Sequence, residues 1–336
     1  MRGKSNMKLL TISIAAYNAE AYIVKALDSI VKSEYIDKLQ VVVVNDGSKD
    51  KTVRIVEEYV KQYPTIVDLI DKENGGYGST INASLQIAKG QYYKLLDADD
   101  WFNTLELDRM VEVLESTDAD IVVSNYCRHF EKSGITENMK SLNIEYSNYP
   151  LDIKALSTFE INPAFTVKTQ VIQGQIKITE KCLYTDVEFC VKAILKSKNF
   201  VYLPYSVYCY RIGREGQSVS SEGRMKHIAE HEFIVKELYE IAFDKMQNEE
   251  CKKSIYRLFS DHIRYYAFYA KPNKNSLNIF ISYCKYLEKN APEAVNYFNG
   301  WDMKCYRHPK IYYLPTCIFV RCGHKVKKIF RKKGLK

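Results

Sequence analysis

No Cys-x-x-Cys pair occurs in the 336 residues. The nine cysteines, at 127, 182, 190, 209, 251, 284, 305, 317 and 322, are odd in number and scattered, so neither a disulfide framework nor a zinc site follows. A reducing cytoplasm is their natural compartment. The six histidines show no ligand spacing and read as structural or surface residues. No internal repeat or low-complexity stretch is visible, and with 46% hydrophobic and 27% charged residues the composition does not indicate disorder. A secretory leader is not convincing either: Leu9 to Ala16 follows a basic start, but Thr11 and Ser13 interrupt it and no cleavage pattern follows. The apolar stretch Ile311 to Val320 is about half of the ~20 residues that a spanning helix needs, and it contains Pro315.

An excess of one charge is also missing from most of the chain. Lys and Arg total 49 against 41 Asp and Glu, and Arg321, Lys325, Lys327, Lys328, Arg331, Lys332, Lys333 and Lys336 supply all of the +8 difference. The remaining 41 bases meet 41 acids, so a basic tail is attached to a neutral body. The length is enough for one large domain plus a smaller one, or for two domains. The 27 tyrosines crowd into the second half and serve either as core or as sugar-stacking residues.

What the sequence does contain is organised around YYKLLDADDW, Tyr92 to Trp101, an apolar strand run that ends in carboxylates. Side chains alternate along a strand, so Asp97 and Asp99 point the same way if the extended geometry persists. Two like charges about 4 Å apart repel by roughly 4 kcal/mol at the effective dielectric of a protein surface. A divalent cation, Mg²⁺ or Mn²⁺, relieves that repulsion and suits oxygen ligands shared with substrate phosphates. The plain alternative is a strand that turns into a solvated acidic loop.

Upstream, LLTISIAAYN reads as a first buried strand ending at Tyr17 and Asn18, with a helix through Ile23, Leu27 and Ile30. The Val41 to Val44 run is too uniformly apolar for a one-faced sheet and reads as a central parallel strand closed by Asp46, Gly47 and Ser48. A helix follows through Val53, Val56, Tyr59 and Val60, then a strand over Ile66 to Ile70, and a glycine-rich turn, NGGYG, enters another helix. After DADD come a helix capped near Asn103 or Thr104 and a strand at Ile121 to Ser124. Alternating strands and helices predict an α/β fold with a parallel sheet and right-handed crossovers, whose ligand sits beyond the carboxyl ends of the strands. Asn18, Asp46 and Asp97 to Asp100 all lie at such ends.

Residues 127–180 have no clean period and read as a mixed region. Thr185 and Glu188 match a capping box, with Asp186 in the first turn of the helix that follows. Two short strands, Phe200 to Leu203 and Val207 to Tyr210, lead to Arg211, Arg214 and Gln217. From Glu222 on, the pattern is helical.

The strings SIAAYN, VVNDGS and DADD, followed by YTDVEF and YRIGREGQS, resemble those of family 2 glycosyltransferases, inverting enzymes of the GT-A nucleotide-sugar fold. DGS closing one strand and DxDD closing another 51 residues later form a joint signal that neither gives alone. NGGYGSTIN, YTDxEF and GRxGQS resemble the subgroup that builds bacterial surface polysaccharides, while residues 222–336 resemble nothing nameable. The resemblance implies a GT-A-type, mostly parallel sheet with helices on both faces and a smaller helical C-terminal region. The shift to a helical composition near 220 sets the boundaries at residues 1–220 for the transferase domain, 221–315 for the helical region and 316–336 for the basic tail.

The resemblance also implies roles. Asp46 takes the place of the carboxylate that hydrogen-bonds uracil, or else caps the next helix, and Tyr17 and Asn18 lie where the base or ribose packs. Asp97 holds the ribose side and joins Asp99 at the metal, Mn²⁺ or Mg²⁺, that neutralises the diphosphate. Asp100 either supports the site or caps a helix. Asp186 resembles the catalytic base that inversion requires opposite the leaving group, although the macrodipole favours an acid in that turn in any case. Arg211, Arg214 and Gln217 close over the diphosphate or hold a charged acceptor. The Gly75, Gly76 and Gly78 turn either lets backbone approach the nucleotide or merely shapes a turn. GRxGQS stands where many processive relatives carry QxxRW, which favours single-sugar addition.

In the tail, Ile318, Phe319, Cys322, Val326, Ile329 and Phe330 fall on one helical side, with Arg321, Lys325, Lys328 and Lys332 opposite, an interfacial pattern. Each base near an anionic leaflet is worth about 1 kcal/mol, enough in sum for reversible docking. Nucleic acid is the weaker partner because no recognition motif accompanies the charge, and a solvated end with no partner is the remaining alternative. The combined expectation is a cytoplasmic transferase, peripheral on the inner face of the plasma membrane. It moves one hexose or N-acetylhexosamine from a UDP-sugar donor to a lipid-linked saccharide acceptor. Two rivals are a non-catalytic docking scaffold and a nucleotidyltransferase. Intact Asp46, Asp97, Asp99 and Asp186 oppose the first; AAYNAEAY, which lacks a glycine-rich basic loop, opposes the second.

Overall fold

The computed structural model describes residues 8–144, 146, 149–156, 162–214, 217, 221–242, 245 and 249–318. Two compact units emerge, residues 1–214 with 245–251, and residues 215–244 with 252–336.

The first unit is built on one sheet. Its strands are β1 (Leu10–Ala16), β2 (Leu39–Asp46), β3 (Val67–Lys72), β4 (Tyr92–Asp97), β5 (Trp101–Phe102), β6 (Ile121–Phe130), β7 (Ile135–Met139), β8 (Leu151–Asp152), β9 (Phe165–Lys168) and β10 (Asn199–Ile212). They lie in the order β3-β2-β1-β4-β9-β6-β10-β5, with β7 on β6 and β8 on β10. The first four are parallel, as the uniformly buried Val41 to Val44 run predicts. Helices α1 (Ile23–Val31), α2 (Thr52–Gln62), α3 (Tyr77–Ile87) and α4 (Thr104–Ser116) belong to this half, followed by α5 (Thr169–Ile172) and α6 (Thr185–Ile194).

The other half of the sheet is mixed rather than parallel. β9 enters antiparallel between β4 and β6, so the stretch without a clean period supplies a central strand. β6 runs to Phe130 instead of stopping at Ser124. The two short strands expected after Phe200 are one long strand, because Pro204 is accommodated in a register shift between Leu203 and Ser206.

Helices cover both faces. Leu10, Ile12, Ile14 and Ala16 bury one face of β1 in a core with Leu27 and Ile30 of α1, Val56 of α2 and Met110 and Leu114 of α4. The opposite face carries small hydroxyls: Ser13 Oγ donates to Ser84 Oγ of α3 at 2.8 Å, and Tyr93 shares that same oxygen at 2.7 Å. Further along this face, Phe189 of α6 packs on Tyr93 with ring centroids 5.8 Å apart. The alternation of β4 therefore serves two different cores while its end carries the acids.

The second unit comprises α7 (Ser221–Lys226), α8 (Ile228–Ala242), α9 (Glu249–Tyr269), α10 (Lys274–Asn290), α11 (Gly300–Arg307) and a final described helix over 309–318. Its tyrosines are largely core: Tyr266, Tyr283 and Tyr313 are buried, and Phe280 stacks on Tyr313 at 4.6 Å. Asp302 of α11 is fully buried and accepts from Ser260 at 2.6 Å and from Arg264 Nη2 at 2.9 Å. The basic amphipathic stretch expected at the C-terminus lies outside the described residues from 319 onward. Among the described residues no helix is long and apolar enough to cross a membrane.

Candidate active site

The site lies at the carboxyl ends of β1, β2 and β4. β4 closes with Asp97, and the chain turns at once into β5, which brings Asp99 and Asp100 back beside it: Asp100 N donates to Asp97 O at 3.0 Å. Carboxylate oxygens of Asp97, Asp99 and Asp100 all lie within 4.8 Å of one another.

Three acids at that spacing need support, and β10 provides it. Tyr208 Oη donates to Asp100 Oδ2 at 2.6 Å and accepts from Asp97 N at 3.2 Å. Arg211 N donates to Asp100 Oδ1 at 2.7 Å, and Arg211 Nε donates to Asp99 O at 2.7 Å. Tyr77 Oη, from the first turn of α3, donates to Asp97 Oδ1 at 2.8 Å. Burial, with the charge of Asp99 second, still pushes Asp97 up to about 7. Asp100 is driven well above the carboxylate range by burial and then by Asp99 and Asp97. It does not cap a helix: α4 begins after Asn103, and no side-chain bond closes that end.

Such oxygens fit a hard divalent cation, since an all-oxygen donor set is what such a cation takes and its charge would offset the repulsion that Asp99 adds to burial at Asp97. One counter-charge is present in the chain itself, because Arg214 Nε pairs with Asp99 Oδ2. Arg211 is placed otherwise than a phosphate ligand would be. Its guanidinium is buried, pairs with Glu131 and lies 5.0 Å from the ring centroids of both Tyr22 and Trp101, so it braces the turn. Gln217 is buried and belongs to the second unit.

The end of β2 forms the neighbouring wall. Asp46 is 4% exposed, and its Oδ1 accepts from Lys72 Nζ at 2.6 Å and from Gly75 N at 2.8 Å, while Oδ2 accepts from Gly76 N at 2.9 Å. The glycine turn is thereby clamped onto Asp46. Gly76, at φ +82°, suits this turn, and Gly78 leaves no room for a Cβ, which would meet Thr179 O at 1.9 Å. Asn18, at φ +48°, accepts from Lys49 N at 2.8 Å, and its own N donates to Ser48 Oγ at 2.9 Å. It ties the first strand end to the DGS loop. Tyr17 beside it is 56% exposed, an aromatic ring offered to solvent at the strand end.

Asp186 comes from the opposite side in sequence and arrives in the first turn of α6. Burial raises its carboxyl above the ordinary range, and its charge is felt at Asp97, Tyr77 and Tyr210. The capping box does not form. Tyr184 precedes α6 at φ +65° with no side-chain cap, Thr185 Oγ1 finds no hydrogen-bond partner among the described residues, and Glu188 turns instead to Thr179 N at 3.1 Å and to Lys192. Glu188 thus fastens α6 to the segment that covers Gly78, fixing where Asp186 points.

Sequence reasoning missed Tyr77, Tyr208 and Lys72, each of which hydrogen-bonds an acid of the site. Tyr77 lies inside the NGGYGSTIN string, whereas Tyr208 is one aromatic among many. It also passed over Lys94, fully buried in β4, whose Nζ donates to Pro163 O at 3.0 Å and Phe165 O at 3.1 Å.

Residues 11–174 match the family described as "Glycosyl transferase family 2". An uncharacterized glycosyltransferase, the MG025 homolog of Mycoplasma pneumoniae, is 33% identical over 227 residues, covering 63% of this chain and 70% of that protein.

The chain belongs to glycosyltransferase family 2.

TarS of Staphylococcus aureus, named a poly(ribitol-phosphate) beta-N-acetylglucosaminyltransferase, is 24% identical over 226 residues, which is 64% of this chain and 37% of TarS. The crystal structure of TarS residues 1–349 with UDP-GlcNAc superposes at a TM-score of 0.66 and 18% identity, covering 98% of this chain and 93% of that one. A Pyrobaculum calidifontis mannosyltransferase solved with GDP-Man and Mn²⁺ superposes at 0.53 and 16% identity, covering 92% and 86%. The shared fold is GT-A, a mixed α/β sheet followed by a helical region. In this family 2 glycosyltransferase the acidic turn, the DGS strand end and Asp186 therefore occupy a nucleotide-sugar transferase scaffold.

Proposed function

We propose that this glycosyltransferase moves a single hexose or N-acetylhexosamine from a UDP-sugar to a saccharide acceptor, with inversion, in the synthesis of a bacterial surface polysaccharide. The observation that carries the reading is the gathering of Asp97, Asp99 and Asp100 within 4.8 Å, in a turn whose Asp97 feels the charge of Asp186 across the site. The UDP-sugar assignment is supported by TarS, solved with UDP-GlcNAc, and transfer of an N-acetylhexosamine onto a polymer by the TarS name, a poly(ribitol-phosphate) beta-N-acetylglucosaminyltransferase.

Asp97 and Asp99 would hold Mn²⁺ or Mg²⁺, which neutralises the charge that develops on the departing diphosphate. Asp46 and Tyr17 take the base and ribose, with Asn18 keeping their two strand ends in register. Arg214 offers a guanidinium to the diphosphate, while Arg211 holds the acidic turn in shape. Asp186 takes the proton of the acceptor hydroxyl as the sugar transfers through an oxocarbenium-like state. Burial raises its affinity for protons, which makes it a stronger base than an exposed aspartate. A lipid-linked acceptor, reached by docking the basic tail on the inner face of the plasma membrane, completes the reading.

The test is to incubate the full chain with a panel of UDP-sugars, UDP-GlcNAc first, with Mn²⁺ or Mg²⁺ and a lipid-linked saccharide acceptor. UDP release together with acceptor extension is the expected result. The reading is overturned if no donor yields UDP and no sugar moves.

A further inference from the structure

Outside the acidic turn, β6 and β10 bring two thiols together. Cys127 and Cys209 are direct partners in the register of these parallel strands, so their side chains stand next to each other on one face of the sheet. Both are free, with 5% and 8% of their surface exposed. The ammonium of Lys25 lies on the same side, 3.2 Å from the ring centroid of Trp101, and Trp101 is the β5 partner of Cys209. The neighbouring Cys209 thiol, with a smaller contribution from the Lys25 charge, lowers the proton affinity of Cys127 despite burial, whereas Cys209 is raised. Thiolate character is what makes a cysteine react with oxidants.

We propose that Cys127 and Cys209 form an oxidation-sensitive dithiol whose disulfide disables the acidic turn. With a peroxide as oxidant, the Cys127 sulfur attacks one peroxide oxygen and the O–O bond breaks. Cys127 becomes a sulfenic acid and one water leaves. The Cys209 sulfur then attacks the Cys127 sulfur, the S–O bond breaks, and the departing hydroxide takes the Cys209 proton as a second water. Two thiols lose two electrons and one peroxide becomes two waters.

Neighbouring strands lie about 4.8 Å apart, inside the usual Cα separation of a disulfide, but its Cβ atoms sit closer, at about 3.8 Å. Closing the bond therefore draws β10 toward β6. Cys209 sits between Tyr208 and Arg211, the two residues of β10 that bond the Asp100 carboxylate. A displacement on the order of 1 Å in positioning groups can lower a rate about a hundredfold. The inference goes beyond the proposed function, and only its consequence, not the bond, depends on that function.

The full chain is treated with graded hydrogen peroxide, alkylated, digested and mapped by mass spectrometry, and UDP-sugar hydrolysis is followed in parallel. The expected outcome is a Cys127–Cys209 linked peptide, a loss of activity of about tenfold or more, and recovery with dithiothreitol. Cys209→Ser and Cys127→Ser should each retain basal activity and resist the loss. If oxidation modifies other cysteines while the linked peptide never forms, the dithiol is refuted. If the peptide forms at full activity, the coupling to the turn is refuted. Should reduced protein neither release UDP from any donor nor extend an acceptor, the transferase reading fails, and the linked peptide still decides whether the dithiol exists.

Discussion

Asp186 is the residue on which the proposed chemistry turns, because it brings a carboxylate from α6 whose charge is felt at Asp97, whereas both oxygens of Asp46 are engaged by Lys72 and the glycine turn. Removing its charge with Asp186→Asn should lower turnover by about 10²–10⁴-fold, the usual worth of a positioned base, while UDP-sugar affinity by calorimetry changes little. Burial raises the carboxyl, so the ionised form required for proton abstraction is lost at a higher pH than for an ordinary aspartate. The acid limb of the wild-type rate profile should accordingly lie above the usual carboxylate range and be absent from the residual activity of the variant. An unchanged limb would assign it to another group. Lys94 gives a prediction of a different kind. Burial holds its ammonium down to about 7, against about 10.4 in an unfolded chain. Between those values the unfolded state binds a proton that the folded state lacks, so stability attributable to Lys94 rises with pH by up to about 1.4 kcal/mol per unit. Below about 7 both states are charged and the burial cost is fully present. Chemical denaturation at pH 7 and 9 should show that rise in the wild type and a smaller one in Lys94→Met.

At the scale of elements, the site depends on how closely α3 and α6 approach. Gly78 abuts Thr179 O, and Thr179 N in turn bonds Glu188, so the same short segment spaces α3 from α6 and orients Asp186. A methyl group at 78 cannot fit against a backbone carbonyl. Gly78→Ala should cost about 1–3 kcal/mol, the usual penalty of overpacking, read as a lower urea midpoint at constant slope. Turnover should fall more than stability does, because the displaced segment carries Asp186 with it. These same elements show what a sequence makes legible. Runs such as Val41 to Val44 identify buried parallel strands because burial on both faces demands apolar residues at every position, and the acids follow because a strand's end is where its composition breaks. β9 escaped notice since four residues, FTVK, pair only with partners far away in sequence, and nothing local marks them. Thr185 and Glu188 misled for the opposite reason: their spacing satisfies a local rule, but the buried Glu188 finds better donors in Thr179 and Lys192. Tyr208 is invisible to any pattern, its importance arising only when β10 folds back beside the acidic turn.

For the molecule as a whole, the neutral body and the basic C-terminus pose a question of location. All eight uncompensated positive charges fall in 321–336, outside the described residues, and the described chain up to 318 already indicates where to divide them. Cys317 is fully buried and its thiol reaches Tyr266 O at 3.8 Å, while Tyr313 is buried as well, so a truncation that removes Cys317 would damage the helical unit. Deleting residues 319–336 instead leaves that packing in place. At about 1 kcal/mol per base near an anionic surface, the loss of eight bases should abolish sedimentation with phosphatidylserine vesicles at low salt. Raising the ionic strength to 1 M, where the screening length is about 3 Å, should release the full chain in the same way. Because Asp46, Asp97 and Asp99 lie in the other unit, UDP affinity should be nearly unchanged by the deletion, as measured by calorimetry. Vesicle binding that survives the truncation would place the membrane contact elsewhere on the protein, and binding to neutral vesicles would replace the electrostatic account with an apolar one.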